Sequence, residues 1–316
     1  MTGLVYKSTG SWYTVKTLNG KTYECRIKGK LRLKGIKSTN PIAVGDYVSF
    51  DLETKNNATT GVISHIQERK NYIIRKSVNL SKQTHIIASN IDQALLLITI
   101  NNPNTYTSFI DRFLVTAEAY SIKAILLFNK LDTYDEETLH EVKFLAALYR
   151  NIGYECIGIS AKTGKNVDKV KRLMTDKVSM FSGRSGVGKS TLINCIEPGL
   201  ELKTKEISEQ HLQGQHTTTF AEMFDLSFGA KIIDTPGIKS FGLVDMDKEE
   251  VSDYFPEFFE LKENCRFNNC LHLYEPKCAV KAALDGEEIA YSRYRSYLQI
   301  LAGEDEAHRT DNFDYE

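Results

Sequence analysis

The sequence predicts an α/β domain on a doubly wound, mostly parallel sheet, with an all-β barrel ahead of it and a mainly helical, metal-binding domain behind it. Three observations carry the prediction. In the middle of the chain, near-continuous apolar runs alternate with amphipathic segments, the pattern of a sheet covered on both faces. Before Glu68, five short β-rich segments are punctuated by turn residues. Near the end, three cysteines and one histidine crowd between Cys265 and Cys278. The expected boundaries are 1–69, 70–242 and 243–316.

Global properties narrow the class. A chain of 316 residues can hold two or three cores, and a net charge of -1 announces no nucleic-acid partner by itself. No apolar run approaches the roughly 18 residues of a membrane span, and MTGLVYKSTG has no signal-peptide pattern. The expectation is a cytoplasmic protein with no membrane or DNA partner, acting as a monomer. Cys25, Cys156 and Cys195 are isolated, so the clustered cysteines read as metal ligands in a reducing compartment.

In the first region, segments 4–7, 12–17, 22–27, 42–50 and 61–67 are rich in β-formers and bounded by turns such as Asn19-Gly20 and Gly45-Asp46. Five such strands suggest a small barrel, with the OB-fold first among candidates. Lys21, Arg26, Lys28, Lys30, Arg32, Lys34 and Lys37 face one acid, Glu24. Two readings follow. The patch tracks an RNA backbone with Trp12, Tyr13 and Tyr23 stacking on bases, or it is a solvated loop with the aromatics in the barrel core.

Segment 91–100, IDQALLLITI, fits the middle of a parallel sheet. A helix is expected over 108–120 and a second buried strand over 123–128. That strand runs into Asn129-Lys130-Leu131-Asp132, which matches Asn-Lys-x-Asp. The Asp132 carboxylate can accept from both N1–H and the 2-amino group of guanine, a donor pair adenine lacks, while the Lys130 stem lies along the base. A helix over 137–150 and a strand over 155–159 lead to Ser160-Ala161-Lys162, similar to the second guanine-contacting loop of GTPases, followed by a helix over 167–174.

The stretch Gly183-Arg184-Ser185-Gly186-Val187-Gly188-Lys189-Ser190 fits the phosphate-loop pattern Gly-x-x-x-x-Gly-Lys-Ser, and Thr191 follows it. Val178, Met180 and Phe181 form the entering strand, and Leu192 and Ile193 begin the helix. Gly183 and Gly188 let backbone N–H groups turn toward phosphate oxygens, Lys189 reaches the β and γ phosphates, and the Ser190 hydroxyl binds magnesium. Downstream come Gly214-Gln215-His216-Thr217-Thr218-Thr219, a strand over 230–233, and Asp234-Thr235-Pro236-Gly237. Asp234 would hold magnesium through water, the Gly237 N–H would sense the γ phosphate, and one of Thr217 to Thr219, with Thr218 favoured, would complete the magnesium shell. Ile238 stands where many GTPases carry a water-orienting glutamine. Slow intrinsic hydrolysis is therefore expected. His216 is the candidate catalytic substitute, and a solvent-exposed switch histidine is the alternative. The Asn-Lys-x-Asp and Ser-Ala-Lys motifs precede the phosphate loop, the reverse of the usual order, so the sheet is expected to be circularly permuted.

Cys265-x4-Cys270-x-His272-x5-Cys278 offers three thiolates and an imidazole, a closed tetrahedral shell for one structural zinc. Segment 289–301 reads as a helix with one apolar face whose Tyr291, Arg293, Tyr294, Arg295 and Tyr297 include basic residues offered to RNA, and 303–316 as an acidic tail.

Taken together, a barrel, NKLD, SAK, GRSGVGKS, GQHTTT, DTPG and the Cys-Cys-His-Cys knuckle closely resemble the ribosome small-subunit-dependent GTPase A family, also called RsgA or YjeQ. The resemblance implies a permuted P-loop GTPase between an OB-fold and a zinc domain. It also implies GTP and GDP as ligands with Mg2+, binding to the small ribosomal subunit and its 16S ribosomal RNA in late maturation, and hydrolysis stimulated by that particle. Gln215 replaces an arginine common in the family, which removes a charge contact. Two other readings are an RNA-binding module with a structural nucleotide site, and a permuted GTPase acting on the large subunit.

Overall fold

The computed structural model describes residues 1–27, 41–55, 58–76, 84–200, 221–234 and 246–303. The basic residues Lys28, Lys30, Arg32, Lys34 and Lys37, the segment 214–219, Gly237, Ile238 and the tail from residue 304 lie outside them. Among the described residues, no helix is long and apolar enough to cross a membrane.

The barrel consists of β1 (Thr2–Ser8), β2 (Tyr13–Lys16), β3 (Thr22–Ile27), β4 (Tyr47–Lys55) and β5 (Ala58–Ile66). It closes in the order β1-β2-β3-β5-β4 and back to β1, with β3 and β5 parallel. A register shift between Val5 and Lys7 lets β1 serve both β2 and β4. Alternation directs Val5, Val15, Cys25, Val48, Phe50 and Ile63 inward. Tyr13 joins them at 0% exposure, so its ring is core and cannot stack on a base, whereas Trp12 is 46% exposed. The strand expected over 42–50 starts only at Tyr47. Gly45 adopts φ 94° and Asp46 turns inward, so the preceding residues form a buried turn.

That turn anchors the barrel. The buried Asp46 carboxylate receives the Arg69 guanidinium at 2.6 Å on each oxygen, the Ser89 hydroxyl at 2.6 Å and the Ala43 N–H at 2.8 Å. Arg69 follows β5, while Ser89 ends the hairpin of β6 (Tyr72–Lys76) and β7 (Thr84–Ser89), so one carboxylate joins barrel to hairpin. On the opposite side β1 pairs with β12 (Glu222–Asp225), and Lys7 reaches Glu222 at 3.1 Å.

The central sheet runs β10 (Glu155–Gly158), β9 (Lys123–Phe128), β8 (Gln93–Ile98), β11 (Val178–Ser182) and β13 (Lys231–Asp234), all parallel, with β12 antiparallel at its edge. From β8 the chain winds outward through β9 to β10, then returns to lay β11 against the other side of β8. Winding therefore reverses between β8 and β11, the place where open α/β sheets bind ligands. Every residue of β8 is buried. Ala94, Leu96 and Ile98 pack beneath α1 (Thr107–Ala119) and α2 (Glu136–Ile152). Leu95 and Leu97 pack beneath α3 (Val167–Met174) and α4 (Lys189–Ile196). Burial of one such aliphatic side chain contributes about 1.5–3 kcal/mol. Local signals set the helix ends: Asp135 caps α2 by accepting from the Thr138 N–H at 2.8 Å, and Gly153 at φ 112° ends it.

The C-terminal part carries a short 3-10 turn (Val251–Tyr254), α5 (Pro256–Lys262), α6 (Ala279–Asp285) and α7 (Tyr291–Leu301). Arg293 is 0% exposed, which corrects its reading as an RNA-facing residue. Its guanidinium donates to Asp111 on α1 at 2.7 Å and to Glu257 on α5 at 2.7 and 3.1 Å, and lies 4.5 Å from the Phe255 ring centroid. Asp111 also accepts from Tyr149 at 2.8 Å and Ser296 at 2.5 Å. Periodicity alone put Arg293 on a helix, but only the partner carboxylates from distant segments make its burial tolerable. Arg293→Met leaves the buried Asp111 carboxylate and the half-buried Glu257 carboxylate uncompensated and should lower stability by about 3–5 kcal/mol, read as a lower urea midpoint for C-terminal unfolding. An unchanged midpoint would exclude the network as the joint.

Candidate functional site

The sequence-predicted residues converge above the carboxyl ends of the parallel strands. Asn129–Asp132 leave β9, Ser160–Lys162 leave β10, Gly183–Gly188 leave β11, and Asp234 closes β13. Asn129 ties three of these loops together. Its backbone N–H donates to the Ile98 carbonyl at 2.8 Å, its Nδ2 donates to the Val187 carbonyl at 2.8 Å, and its Oδ1 accepts from the Ala161 N–H at 2.9 Å.

The phosphate-loop glycines meet steric demands of this packing. At Gly183, φ 140°, a Cβ would stand 2.8 Å from the Leu97 carbonyl oxygen, and at Gly188, φ 99°, 2.5 Å from Asn129 Nδ2. Either side chain would push the loop off its neighbour. Val187 is fully buried and anchors the loop, whereas Ser185, Gly186 and Thr191 are exposed and Ser190 is half-buried at the start of α4. The helix N-terminus presents unpaired N–H groups and positive dipole toward the loop. Lys189 arches over its own loop, donating to the carbonyls of Gly183 and, at 3.0 Å, Arg184. Burial lowers its pKa, and the nearby Asp234 carboxylate works against that. A concave loop of backbone donors with an ammonium and a carboxylate at its rim fits a polyphosphate with a divalent cation.

At the base loop, the Ser160 hydroxyl donates to Asp132 Oδ1 at 2.6 Å and accepts from the Thr163 N–H at 3.1 Å. This holds an exposed carboxylate in one orientation. Lys130 adopts φ 67° and donates to the Asn102 carbonyl. Lys162 is exposed. The segment after β8 was not singled out in the sequence, where NNPNTY reads as an ordinary polar loop. In three dimensions it reaches both loops, since Arg184 donates to the Asn104 carbonyl and lies 5.6 Å from the Tyr106 ring centroid. His216, Thr218 and Gly237 lie outside the described residues.

The knuckle is closed and buried. Ligand atoms of Cys265, Cys270, His272 and Cys278 all lie within 4.8 Å of one another. Cys265 Sγ is 3.9 Å from Cys278 Sγ and 3.7 Å from His272 Nδ1, which is 3.3 Å from Cys278 Sγ. Tetrahedral zinc with Zn–S near 2.3 Å sets sulfurs about 3.8 Å apart, so the donor set fits that ion. The Ala279 and Lys281 N–H groups point at Cys265 and Cys278 sulfurs at 3.3 and 3.4 Å, the pattern that supports thiolates. Burial pushes the Cys270 thiol up to about 12, so a cation is needed to hold it deprotonated. The His272 Nε2 is buried with no hydrogen-bond partner among the described residues. Phe258 and Tyr297 pack around that ring. Glu275 closes the loop by accepting from the Leu271, Leu273 and Tyr274 N–H groups at 2.8, 2.8 and 3.0 Å.

Comparison with known proteins agrees along the chain. A family model for the RsgA GTPase matches residues 66–244, and one for the RsgA N-terminal domain matches residues 2–63. A "Small ribosomal subunit biogenesis GTPase RsgA" from Christiangramia forsetii is 72% identical over 313 residues, covering 99% of each chain. One of the same name from Flavobacterium psychrophilum is 67% identical, covering 98% of this chain and 95% of its own. Among solved structures, YjeQ from Thermotoga maritima superposes with TM-score 0.77 at 35% identity, covering 96% of this chain and 97% of that one. YloQ, described as a circularly permuted GTPase, gives TM-score 0.73 at 32% identity, with 96% and 94% covered. The motif order, the permuted sheet between barrel and knuckle, and these matches over nearly the whole length establish that the chain belongs to the RsgA GTPase family.

Proposed function

We propose that this protein is a GTPase of small ribosomal subunit biogenesis, which binds GTP with magnesium and hydrolyses it to GDP and phosphate as a checkpoint in late maturation. The observation that carries the reading is the Asn129 side chain, which locks the Asn-Lys-x-Asp, Ser-Ala-Lys and phosphate loops into one site. The name carried by the 72% identical relative from Christiangramia forsetii, a small ribosomal subunit biogenesis GTPase, supports the cellular role.

Each residue then has a role that its chemistry suits. Asp132, oriented by Ser160, accepts from guanine N1–H and the 2-amino group, a backbone N–H of the Ser-Ala-Lys loop meets the guanine carbonyl oxygen, and the stems of Lys130 and Lys162 flank the base. Backbone N–H groups from Gly183 to Thr191 cradle the phosphates, and Lys189 exchanges its loop carbonyls for phosphate oxygens. Ser190, Asp234 and Thr218 are the magnesium-shell candidates, and magnesium would neutralise charge developing on the transferred phosphoryl group. Gly237 would sense the γ phosphate and His216 would order the attacking water. Cys265, Cys270, His272 and Cys278 hold a structural zinc with no open position for catalysis. The barrel, with Lys21, Arg26 and Trp12 exposed, supplies an RNA-facing surface for 16S ribosomal RNA.

GTP turnover of the purified protein should be slow alone and rise with isolated small subunits but not large ones. His216→Ala should abolish the rise while leaving GTP affinity intact. Lack of any response to small subunits would sink the reading, and an undiminished response in His216→Ala would remove that residue from the mechanism. Asp132→Asn removes the double acceptor and should weaken GTP binding by about 100-fold or more, measured by titration against a xanthine nucleotide as the compensating ligand. Equal loss for both nucleotides would mean the loop does not read the base. Metal analysis should find one zinc per chain. Cys270→Ser should lose it and unfold the knuckle, seen as rapid proteolysis within 265–278.

A further inference from the structure

One helix belongs to two cores. Ile110, Phe113, Leu114 and Ala117 of α1 pack on the parallel sheet, while Val115 packs into the C-terminal core. Asp111 of the same helix receives Arg293 and Ser296 of α7. At its start, Tyr106 is the N-cap residue, and its ring lies beside the Arg184 guanidinium of the phosphate loop. Asn104, two residues earlier, accepts from the same guanidinium, and Pro103 Cδ comes within 3.5 Å of where a Gly186 Cβ would sit. Arg184 occupies a position the phosphate-loop motif leaves free, so phosphate binding alone does not require an arginine there.

The distance to be bridged is short. From Tyr106 to Asp111 the helix advances about 7.5 Å, with no break in between. The two ends are held differently: at one, the exposed Tyr106 ring and the Asn104 carbonyl both engage the Arg184 guanidinium, and at the other Asp111 and Arg293 form a fully buried ion pair that tolerates little displacement. We infer that Tyr106 and Arg184 are positioning residues for the phosphate loop, and that α1 couples nucleotide binding to the docking of the C-terminal domain. The inference rests on GRSGVGKS being a nucleotide site. Phosphates that set the loop also set Arg184, hence the start of α1 and the seat of Asp111 against α7. Linkage makes the effect reciprocal, so loosening α7 must weaken nucleotide binding.

The test uses the full chain with a fluorescent GDP analogue and hydrogen exchange, comparing the parent with Tyr106→Leu, Ser296→Ala and the double variant. In the parent, GDP should slow exchange across residues 291–301, and Tyr106→Leu should abolish that slowing. Ser296→Ala, remote from the nucleotide, should weaken GDP affinity by about threefold or more. The double variant should be no weaker than Tyr106→Leu alone, because the connection is already cut. If Ser296→Ala disturbs folding, Tyr149→Phe removes a single hydroxyl from Asp111 and repeats the measurement. Exchange over 291–301 that ignores GDP in the parent, or strictly additive losses in the double variant, would overturn the coupling while GDP binding stands. A parent that binds no GDP would overturn the nucleotide reading and the coupling with it.

Discussion

The arrangement above the sheet depends on one buried side-chain amide. Asn129 is 2% exposed, and both ends of its amide are spent on backbone groups of other loops, the Val187 carbonyl and the Ala161 N–H. A buried amide that lost either partner would carry the full desolvation cost of an unpaired polar group, so the three loops are held to one another as well as to their strands. Gly188 follows from the same contact, since its missing Cβ leaves room for the amide nitrogen. The order of motifs along the chain becomes immaterial once this junction forms. Strand neighbours and loop contacts define the site, and a permuted chain satisfies both.

Around that junction the sheet supplies rigidity and the flanking domains attach at its margins. β8 is buried on both faces, and its alternate residues feed two separate helical layers. The barrel is attached twice: through the Asp46 carboxylate to Arg69 and Ser89, and through β1 to β12. Its second attachment meets the short β12–β13 pair, which leads into Asp234. Tyr6, Lys16 and Lys231 gather on Asp225 at the same seam. Such partly exposed pairs are individually weak, so the β1–β12 pairing and Asp46 bear most of the attachment.

The C-terminal domain is joined differently, by a buried ionic network in place of a shared sheet edge. Burial pushes the Asp111 carboxyl up, and the Arg293 charge and donors from Ser296 and Tyr149 oppose it. Removing water from so many polar groups is costly, and their mutual satisfaction offsets that cost only in one geometry. The knuckle sits just beyond, with Tyr294 and Tyr297 of α7 donating to the His272 and Leu271 carbonyls at 2.6 and 2.7 Å. One helix therefore supports the Cys-Cys-His-Cys loop on one side and the GTPase domain on the other.

Residue type and spacing by themselves determined the elements whose chemistry is local. The phosphate-loop motif, NKLD, SAK, the clustering of three cysteines with a histidine and the two-faced strands were legible because a turn, a ligand shell or a hydrophobic period needs particular residues at particular intervals. Arg293, Tyr13 and residues 102–106 were not legible in this way. A basic residue on an amphipathic helix reads as exposed until Asp111 and Glu257, far away in the chain, arrive to pair with it. An aromatic residue in a strand belongs to core or surface according to which way the barrel closes, and NNPNTY is an unremarkable loop until Lys130 and Arg184 reach it. Long-range contacts decided these cases, because burial of charge and the meeting of loops depend on packing that no local pattern encodes.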